Sequence, residues 1–490
     1  MTKWRKSNMR ALENCEPKRV FYYFEELCKI PHGSGNTKQI SDYLVSFAKE
    51  QSLEYVQDEM NNIVIYKPAT PGYENAPTVI IQGHMDMVAV KKPDCTKDMT
   101  KEGLDVKVEG DWLCAEGTSL GGDDGIAVAY MLAILDSHEL EHPAIEAVIT
   151  VDEETGMDGA REIDMSVCRG KRLLNLDSEE EGIFLTSCAG GARLHGFLPV
   201  EWEEQEGILY ELSVEGLLGG HSGGEIHKER GNSNCLAGRL LYEARKAADV
   251  RPAAMKGGLA DNAIPRQTKA GFWVRKEEAE AFEKAAAAFE ANVKKELAVK
   301  DPGFALCIVS KTEGSFKVLT KESAEKTAFL LLTLPAGVQS MSADIHGLVQ
   351  TSLNLGIIKL DESGLHLDYS VRSSVGSEKE LLLDRMEAIL ASQGAEWEIS
   401  GAYPAWEYKQ ESALREKMVA VYQELYHTMP KIEAIHAGLE CGLLSGKVEG
   451  LDCVSIGPDM KDIHTTEEHL SIPSTERVWN FVKAVLAKKD

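Results

Sequence analysis

The chain of 490 residues is longer than one hydrophobic core normally supports, so we expect more than one domain. Its hydrophobic fraction of 43% is ordinary for a globular protein, and its longest apolar stretches, such as residues 125–135, are far shorter than a membrane span. A formal net charge of −26 without a Lys/Arg cluster argues against a nucleic-acid partner, because binding to a phosphate backbone depends on basic patches.

Two features bear on the cellular compartment. Residues 1–10 carry four basic side chains, but no apolar segment follows them, so no secretory signal is expected. The ten cysteines show no paired spacing, which is typical of reduced thiols rather than of a disulfide framework. The sequence therefore predicts a cytoplasmic protein without a membrane partner.

The first part of the chain, residues 1–190, alternates apolar strands with helices. Predicted strands end at Ile65, Met85, Val151 and Leu176, and predicted helices cover residues 39–51 and 125–137. This order is typical of an α/β domain, in which ligands bind at the carboxyl ends of the strands. Residues 401–490, which begin with a predicted helix at 411–427, are expected to complete the same domain.

The middle of the chain, residues 191–400, shows a different order of elements. A strand at 208–215 is followed by a helix at 234–248, strands at 265–274, a helix at 276–297 and a strand at 305–310. A similar order recurs, with a helix at 323–332, strands at 351–360 and 365–372, a helix at 377–391 and a strand at 395–399. This α+β pattern resembles two ferredoxin-like units in tandem, inserted into the α/β domain as a lid.

Five short segments each end an apolar run with a metal-binding side chain: His84, Asp123, Glu154, Asp177 and His464. Taken singly, each of these residues has an ordinary structural explanation, such as a turn or a solvated surface. Their types and order together indicate one site for two divalent cations, because three carboxylates and a bridging hydroxide balance a charge of about +4. Without metal, three carboxylates at a set of strand ends would repel one another and raise their own pKa values.

Residues next to these candidate ligands suggest supporting roles. Asp86 shares a strand face with His84, so it can hold the second ring nitrogen of that histidine. Adjacent side chains diverge at the end of a strand, so one glutamate of the pair Glu153 and Glu154 can bind metal while the other faces the metal-bound water.

Several stretches resemble the M20 family of dinuclear zinc peptidases, and particularly its aminoacyl-histidine dipeptidase branch, also called peptidase D or cytosolic non-specific dipeptidases. These stretches are residues 30–35, 82–87, 118–125, 152–159, 174–181, 436–442 and 456–458. The resemblance runs from about residue 16 to the end of the chain. It implies a catalytic α/β domain with an inserted lid, a homodimer, and two divalent metal ions. Zn is favoured, although Mn and Co also suit mixed His/carboxylate ligands.

The resemblance implies a role for each candidate ligand. Asp123 would bridge the two metals, while His84 and Asp177 would complete one metal site and Glu154 and His464 the other. A second acid follows Asp123 directly, which leaves open which carboxylate of the pair bridges.

The resemblance also implies the catalytic groups. Glu153 would be the general base that takes a proton from the metal-bound water and returns it to the leaving amine, with Asp86 supporting the histidine ligand. His221, in the segment 219–224, would donate a hydrogen bond to the oxyanion, in its own subunit or in a partner subunit. A plain loop histidine is the alternative interpretation of His221.

Substrate contacts are implied at Asn262, Arg372 and Gly438. An arginine suits a substrate carboxylate because it donates two parallel hydrogen bonds, although Arg372 is equally compatible with a surface ion pair. Glu440 either orients a metal ligand or contacts the substrate amine, and the sequence leaves both open.

Two other motifs do not fit the mechanisms that they usually indicate. The H-E-x-x-H match at residues 138–142 is followed by Pro143, so its second histidine is expected outside a helix. The G-x-S-x-G matches at 117–121 and 220–224 lack the strand-to-helix turn of a serine nucleophile.

The expected function is a metal-dependent dipeptidase that cleaves dipeptides with a free amino end, including Xaa-His substrates, by a metal-bridged hydroxide. An aminotripeptidase or an N-acyl amino-acid amidohydrolase on the same scaffold is an alternative. A non-catalytic metal-binding protein is a more distant one, against which the presence of a general base at Glu153 counts. Closure of the lid would bring His221 and Arg372 toward the substrate.

Overall fold

The structure is a computed structural model that describes residues 10–489. Residues 1–9, on which the expected absence of a secretory signal depends, lie outside the described residues. The chain forms two compact units. Unit 1 comprises the residues up to Thr186, Tyr408–Ala434 and the residues from Leu439 onward, and unit 2 comprises Ser187–Glu407 and Ile435–Gly438. The domain limits expected near residues 190 and 401 stay a prediction.

The amino-terminal part of unit 1 begins with two helices, continues with five strands, and then adds further helices and strands. Its elements are α1 (Lys18–Cys28), α2 (Lys38–Glu50), β1 (Glu54–Gln57), β2 (Ile63–Lys67), β3 (Val79–His84), β4 (Val106–Glu109), β5 (Trp112–Ala115), α3 (Gly122–Asp136), β6 (Ile145–Thr150), α4 (Asp158–Glu162), β7 (Arg172–Asn175) and β8 (Ile183–Cys188). Helix α3 is buried along residues 122–135, because its side chains are apolar on nearly every face. Its regular backbone begins at Gly125, since Asp123 and Asp124 have non-helical dihedral angles.

Unit 2 is built mainly from long strands with helices between them. Its elements are β9 (Gly190–Leu198), β10 (Trp202–Glu215), β11 (Gly220–His221), α5 (Ser233–Arg245), β12 (Arg251–Gly257), β13 (Ala263–Ile264), β14 (Thr268–Val274), α6 (Ala279–Glu296), β15 (Ala305–Leu319), α7 (Lys321–Thr333), β16 (Gly337–Met341), β17 (Val349–Asp361), β18 (Gly364–Ser373), α8 (Gly376–Ser392) and β19 (Glu396–Tyr403).

The carboxyl-terminal part of the chain returns to unit 1. Its elements are α9 (Ala413–Tyr426), β20 (Lys431–Ile435), α10 (Glu440–Lys447), β21 (Asp452–Ser455), β22 (Met460–Lys461), β23 (His469–Ser471) and α11 (Ile472–Ala487). Among the helices of residues 10–489, none combines the length and the apolar character needed to cross a lipid bilayer.

The main sheet of unit 1 is mixed, which confirms the predicted α/β class. Its strand order is β1-β2-β6-β3-β7-β21-β8-β20. The central strands β6, β3, β7 and β21 are parallel, whereas β1 and β2 add an antiparallel edge. Helices α1, α3 and α11 pack on one face of this sheet, against alternate strand residues such as Ile81 and Leu174. The intervening residues Ile80, Val148 and Leu173 are buried as well, so both faces of the sheet centre are covered.

The main sheet of unit 2 is antiparallel, in the order β15-β10-β14-β12-β17-β18-β9-β19. Each half has the β-α-β-β-α-β order of a ferredoxin-like unit, as predicted. The second unit, however, takes its first strand from β9, which precedes the whole first unit in the chain, so the units are nested rather than in tandem. Three glycines in β9 weaken its strand pattern in the sequence, and only its pairing with β18 and β19 identifies it.

Candidate metal centre

Three of the candidate ligands lie at the carboxyl ends of neighbouring strands in unit 1. His84 is the last residue of β3, Glu154 lies four residues after β6, and Asp177 lies two residues after β7. Strand β3 pairs in parallel with both β6 and β7, so the three strands end at the same edge of the sheet.

A buried glutamate holds the glycine-rich turn that carries Asp123. The carboxylate of Glu468 accepts hydrogen bonds from the four backbone N–H groups of residues 120–123, at 2.8, 3.1, 2.8 and 3.4 Å. Gly121, within this turn, has a φ of 66°, in the left-handed region that favours glycine. The turn therefore depends on a carboxylate that lies 345 residues away in the chain.

The Asp124 carboxylate is directed at the backbone of β3. Its Oδ2 atom accepts a hydrogen bond from the backbone N–H of His84 at 3.1 Å, and its side chain is fully buried. Gly83 permits this approach, because a Cβ atom at that position would overlap the Asp124 carboxylate. Of the two adjacent acids, Asp123 is the one placed to bind metal.

Asp123 lies between two histidines. Its Oδ1 atom is 3.2 Å from His84 Nε2, and its Oδ2 atom is 3.2 Å from His464 Nε2. The loop between β22 and β23 carries His464, whose φ of 60° is unusual for a residue with a side chain and shows that the surrounding fold imposes this conformation.

The remaining carboxylates divide between the two histidines. Asp177 Oδ1 is 3.6 Å from His84 Nε2, and Glu154 Oε2 is 2.9 Å from His464 Nε2. Two groups therefore each bring three ligand atoms within 4.8 Å of one another: His84, Asp123 and Asp177 form one group, and Asp123, Glu154 and His464 form the other. A third group joins Glu153 to His84 and Glu154, so Glu153 borders the same space.

The negative charge of this cluster favours the binding of cations. In the described part of the chain, His84 and His464 are the only basic residues that form ion pairs with Asp123, Glu154 and Asp177. Burial raises the pKa of Asp177 to about 7, and hydrogen bonds to Asp123 and Glu154 raise the pKa of His464 to about 10. The donor set of imidazole nitrogens and carboxylate oxygens fits Zn or a similar metal.

The neighbours of His84 set its orientation. Its Nδ1 atom lies 3.0 Å from the backbone oxygen of Asp86, so Nδ1–H donates there and the Nε2 lone pair is left for a metal. The Asp86 carboxylate is farther away, at 3.4 Å, and accepts hydrogen bonds from Ser34 Oγ at 2.8 Å and from the backbone N–H of Glu153 at 3.2 Å. Asp86 therefore links the histidine to the segment that carries Glu153.

His221, in unit 2, presents one ring N–H. Its Nδ1 atom accepts hydrogen bonds from the backbone N–H groups of Gly223 at 3.2 Å and Gly224 at 3.1 Å, so the proton must lie on Nε2. Burial and the positive charge of Arg372 lower the pKa of His221, which keeps the ring neutral at physiological pH. The imidazole is therefore a hydrogen-bond donor at Nε2 rather than a base.

Arg372 belongs to a polar cluster in unit 2, which we define as Ser222, Ser352, Arg372, Tyr403 and His436. Arg372 Nη1 donates to Tyr403 Oη at 3.1 Å, and Ser352 Oγ lies 2.7 Å from His436 Nε2. Among the described residues, three buried polar atoms of this cluster have no hydrogen-bond partner: Ser222 Oγ, Arg372 Nε and His436 Nδ1. Such groups are rare in folded proteins, and here they suit an anionic ligand.

The other predicted substrate contacts have different surroundings. The backbone oxygen of Asn262 accepts a hydrogen bond from Ser222 N–H at 2.8 Å, which places Asn262 beside the His221 loop. Gly438 ends the short segment Ile435–Gly438 of unit 2. Glu440 lies in unit 1 and is fully buried at the start of α10.

Sequence reasoning missed several residues that shape these sites. They are Ser34, Gln82, Asn175, Ser222, His436 and Glu468. Gln82 and Asn175 each give a signal, because each is a polar residue in an apolar strand, two residues before a candidate ligand. The contact of Glu468 with the turn at residues 120–123 gives no signal in the sequence. The rejected zinc-helix motif at 138–142 lies beyond the end of α3, in non-helical backbone.

Comparison with known proteins identifies the family. The sequence model of peptidase family M20/M25/M40 matches residues 80–488 of this chain. The chain belongs to this family. It is therefore a peptidase, a hydrolase of peptide bonds, and the M20 family predicted from the sequence is confirmed. The chain is also 35% identical to the cytosol non-specific dipeptidase of Escherichia coli (strain K12) over 480 residues, which is 98% of this chain and 99% of that protein.

Solved structures agree with this family assignment. Aminoacylhistidine dipeptidase from Vibrio alginolyticus superimposes with a TM-score of 0.93 at 33% identity, and 98% of each chain is covered. The aminopeptidase PepT from Bacillus cereus has a TM-score of 0.56 at 14% identity, with 96% of this chain and 98% of that chain covered, and shares the fold. The M20 peptidase fold, with its catalytic and lid parts, is thus confirmed.

Proposed function

We propose that this M20 peptidase is a dinuclear metal-dependent dipeptidase that cleaves dipeptides with a free amino end, including Xaa-His substrates. The observation that carries the proposal is the position of Asp123, whose two carboxylate oxygens face histidines of two different ligand groups. Two divalent metal ions, with Zn favoured, would be bound. One would be held by His84, Asp123 and Asp177, and the other by Asp123, Glu154 and His464. When bound, the metals supply Lewis acidity and lower the pKa of water.

The chain's own groups would perform the proton transfers. Glu153 is held through its backbone N–H by Asp86, which keeps its carboxylate beside the ligand groups without making it part of either Asp123-containing group. We assign to it the transfer of a proton from water to the leaving amine. His221, as a neutral donor at Nε2, suits the oxyanion, in its own or in a partner subunit.

The polar cluster of unit 2 supports recognition of a free substrate carboxylate. A guanidinium with a buried, unpartnered Nε–H can donate a second hydrogen bond when a carboxylate arrives. Burial and the charge of Arg372 lower the pKa of His436 to about 3, so this histidine adds no charge of its own. A site of this kind, together with Asn262 and Gly438, favours short peptides with a free carboxyl end.

Two relatives support the substrate class. One is named a cytosol non-specific dipeptidase and the other an aminoacylhistidine dipeptidase, and both match this chain over 98% of its length. The same comparison supports a cytoplasmic location, as does the lack of any disulfide among the ten cysteines, all of which lie within residues 10–489. Fractionation of the source cells tests this location.

A homodimer is part of the proposal. Phe329, Leu332 and Leu381 on α7 and α8 of unit 2 are 40, 42 and 67% exposed, and a second copy of the chain would cover such apolar side chains. Light scattering should give twice the chain mass of 53.8 kDa. The chain mass itself would contradict the dimer.

The decisive assay compares four substrates on zinc-loaded protein: Ala-His, β-Ala-His, Ala-Ala-Ala and an N-acetyl amino acid. We expect cleavage confined to the dipeptides and abolished by a chelator. Cleavage of the tripeptide would indicate an aminotripeptidase, and cleavage of the acyl substrate an amidohydrolase. Absence of all activity would favour a metal-binding protein without turnover.

A variant separates the general base from the metal ligands. Glu153→Ala should retain the metal content of the wild type, measured by elemental analysis, and lose dipeptide hydrolysis by 10²-fold or more. Loss of metal from this variant would instead assign Glu153 to the ligand set.

A further inference from the structure

A row of buried polar side chains lies directly behind the candidate metal ligands of unit 1. Gln82 precedes His84 by two residues on β3, and Asn175 precedes Asp177 by two residues at the end of β7. Both side chains are fully buried in otherwise apolar strands. Asn175 Nδ2 donates to Gln82 Oε1 at 2.6 Å, and Asn175 Oδ1 accepts from the backbone N–H of Asp177 at 3.3 Å.

Glu440, the first residue of α10, completes this row. Its Oε2 atom accepts hydrogen bonds from Gln82 Nε2 at 2.5 Å and from Thr150 Oγ1 at 2.7 Å. Thr150 lies opposite His84 in the register of β6 and β3. Glu440 thus joins the two strands at the point where one ends in His84 and the other leads into Glu153. We refer to Gln82, Thr150, Asn175 and Glu440 as the buried polar row.

Burial of a carboxyl group in this position costs free energy of folding. Glu440 is fully buried, and within residues 10–489 no Lys or Arg forms an ion pair with it. Its Oε1 atom has no hydrogen-bond partner among the described residues. An apolar side chain could fill the space, but it would remove the shorter hydrogen bond of each donor. The Gln82 amide would keep only Thr150 Oγ1, at 3.3 Å, and the Thr150 hydroxyl only the backbone oxygen of Gly83, at 3.3 Å. Only a side chain with an acceptor oxygen can supply these two hydrogen bonds.

We propose that Glu440 positions the metal ligands of β3 and β6 through Gln82 and Thr150, and so controls metal affinity without touching the substrate. The inference rests on the metal centre of the proposed function. Groups that orient metal ligands from behind typically change metal affinity by 10- to 100-fold when they are removed. Of the two roles that the sequence leaves open for Glu440, its burial and its partners favour the orientation of a ligand.

The test compares two substitutions of similar size. Glu440→Met removes the acceptor and should weaken zinc affinity, measured by competition with a chromophoric chelator, by 10- to 100-fold. Glu440→Gln retains one oxygen for Gln82 and Thr150 and should stay within about threefold of the wild type. Glu416→Met, on the exposed first turn of α9, is the matched control and should have no effect.

A spectroscopic measurement separates positioning from general packing. The cobalt-substituted Glu440→Met protein should show an altered visible absorption spectrum, because the geometry of its ligands changes. At saturating metal, its KM for Ala-His should equal that of the wild type. Thr150→Val, which removes one donor of the row, should change the spectrum in the same way and to a smaller extent, so the inference can be tested even where Glu440→Met folds poorly.

Two results would overturn the inference. The first is a Glu440→Met protein whose thermal stability falls while its zinc affinity and cobalt spectrum stay those of the wild type, which would show a purely structural role. The second is a KM that rises for Ala-His and not for propionyl-His, with zinc affinity unchanged, which would place Glu440 at the substrate amine. Because zinc affinity is measured without substrate, failure of the dipeptidase assay leaves this test intact.

Discussion

Replacement of Glu468 should loosen the turn that carries Asp123. In Glu468→Ala, four buried backbone N–H groups of residues 120–123 lose their common acceptor, three of them at 3.1 Å or less. An unsatisfied buried N–H costs about 1–3 kcal/mol, and water entering the vacated space compensates part of the total. We therefore expect a loss of about 3–5 kcal/mol in the local stability of the turn, with a 10- to 100-fold weaker zinc affinity.

Amide hydrogen exchange measures this effect directly. A loss of about 3 kcal/mol corresponds to exchange that is roughly 10²-fold faster at the amides of residues 120–123. Glu467→Ala is the matched control, because Glu467 is 67% exposed and forms a surface ion pair with Lys92, which is worth about 1 kcal/mol at most. Equal exchange rates and equal zinc affinity in the two variants would refute the assignment of Glu468 to the turn.

Three further predictions concern other positions. Gly83→Ala should reduce zinc content and thermal stability, because the added Cβ displaces the Asp124 carboxylate; an unchanged variant would contradict the close packing seen there. The pKa of His436, about 3 when folded against an ordinary value of 6.5, means that acid protonates the unfolded chain first, so the free energy of unfolding falls from pH 6.5 toward 3. Between pH 7 and 5, the free energy of unfolding measured by urea titration should fall by about 2 kcal/mol less in His436→Gln than in the wild type. Equal decreases in the two proteins would count against a buried neutral ring. Arg372→Met should raise the KM for Ala-His at least tenfold and leave Ala-His-amide unaffected, whereas Arg239→Met, on the surface of α5, should change neither.

Much of unit 1 could be predicted, because short segments of the sequence specify its strands and the residues at their ends. Apolar runs predicted the strands that end near His84, Glu154 and Asp177, and the α/β order predicted a ligand site at the carboxyl ends of strands. The predicted start of a helix at Gly125 agrees with the first regular helical backbone of α3.

Other features could not be read from the sequence because they depend on residues distant in the chain. The choice between Asp123 and Asp124 is set by backbone dihedral angles, which Glu468 and the absence of a side chain at Gly83 impose together. The nested order of the ferredoxin-like units is likewise set by long-range pairing of β9, whose own residues give a weak strand signal.

The sequence by itself determined which strand ends carry side chains with metal-ligand donor atoms, since donor type and strand periodicity are properties of short segments. Only the tertiary structure decided which oxygen faces which histidine, and that Gln82, Asn175 and Glu440 form one hydrogen-bonded row. The physical reason is that a hydrogen bond requires its atoms within about 3 Å of each other, and for residues hundreds of positions apart this distance is set by the packing of the whole domain.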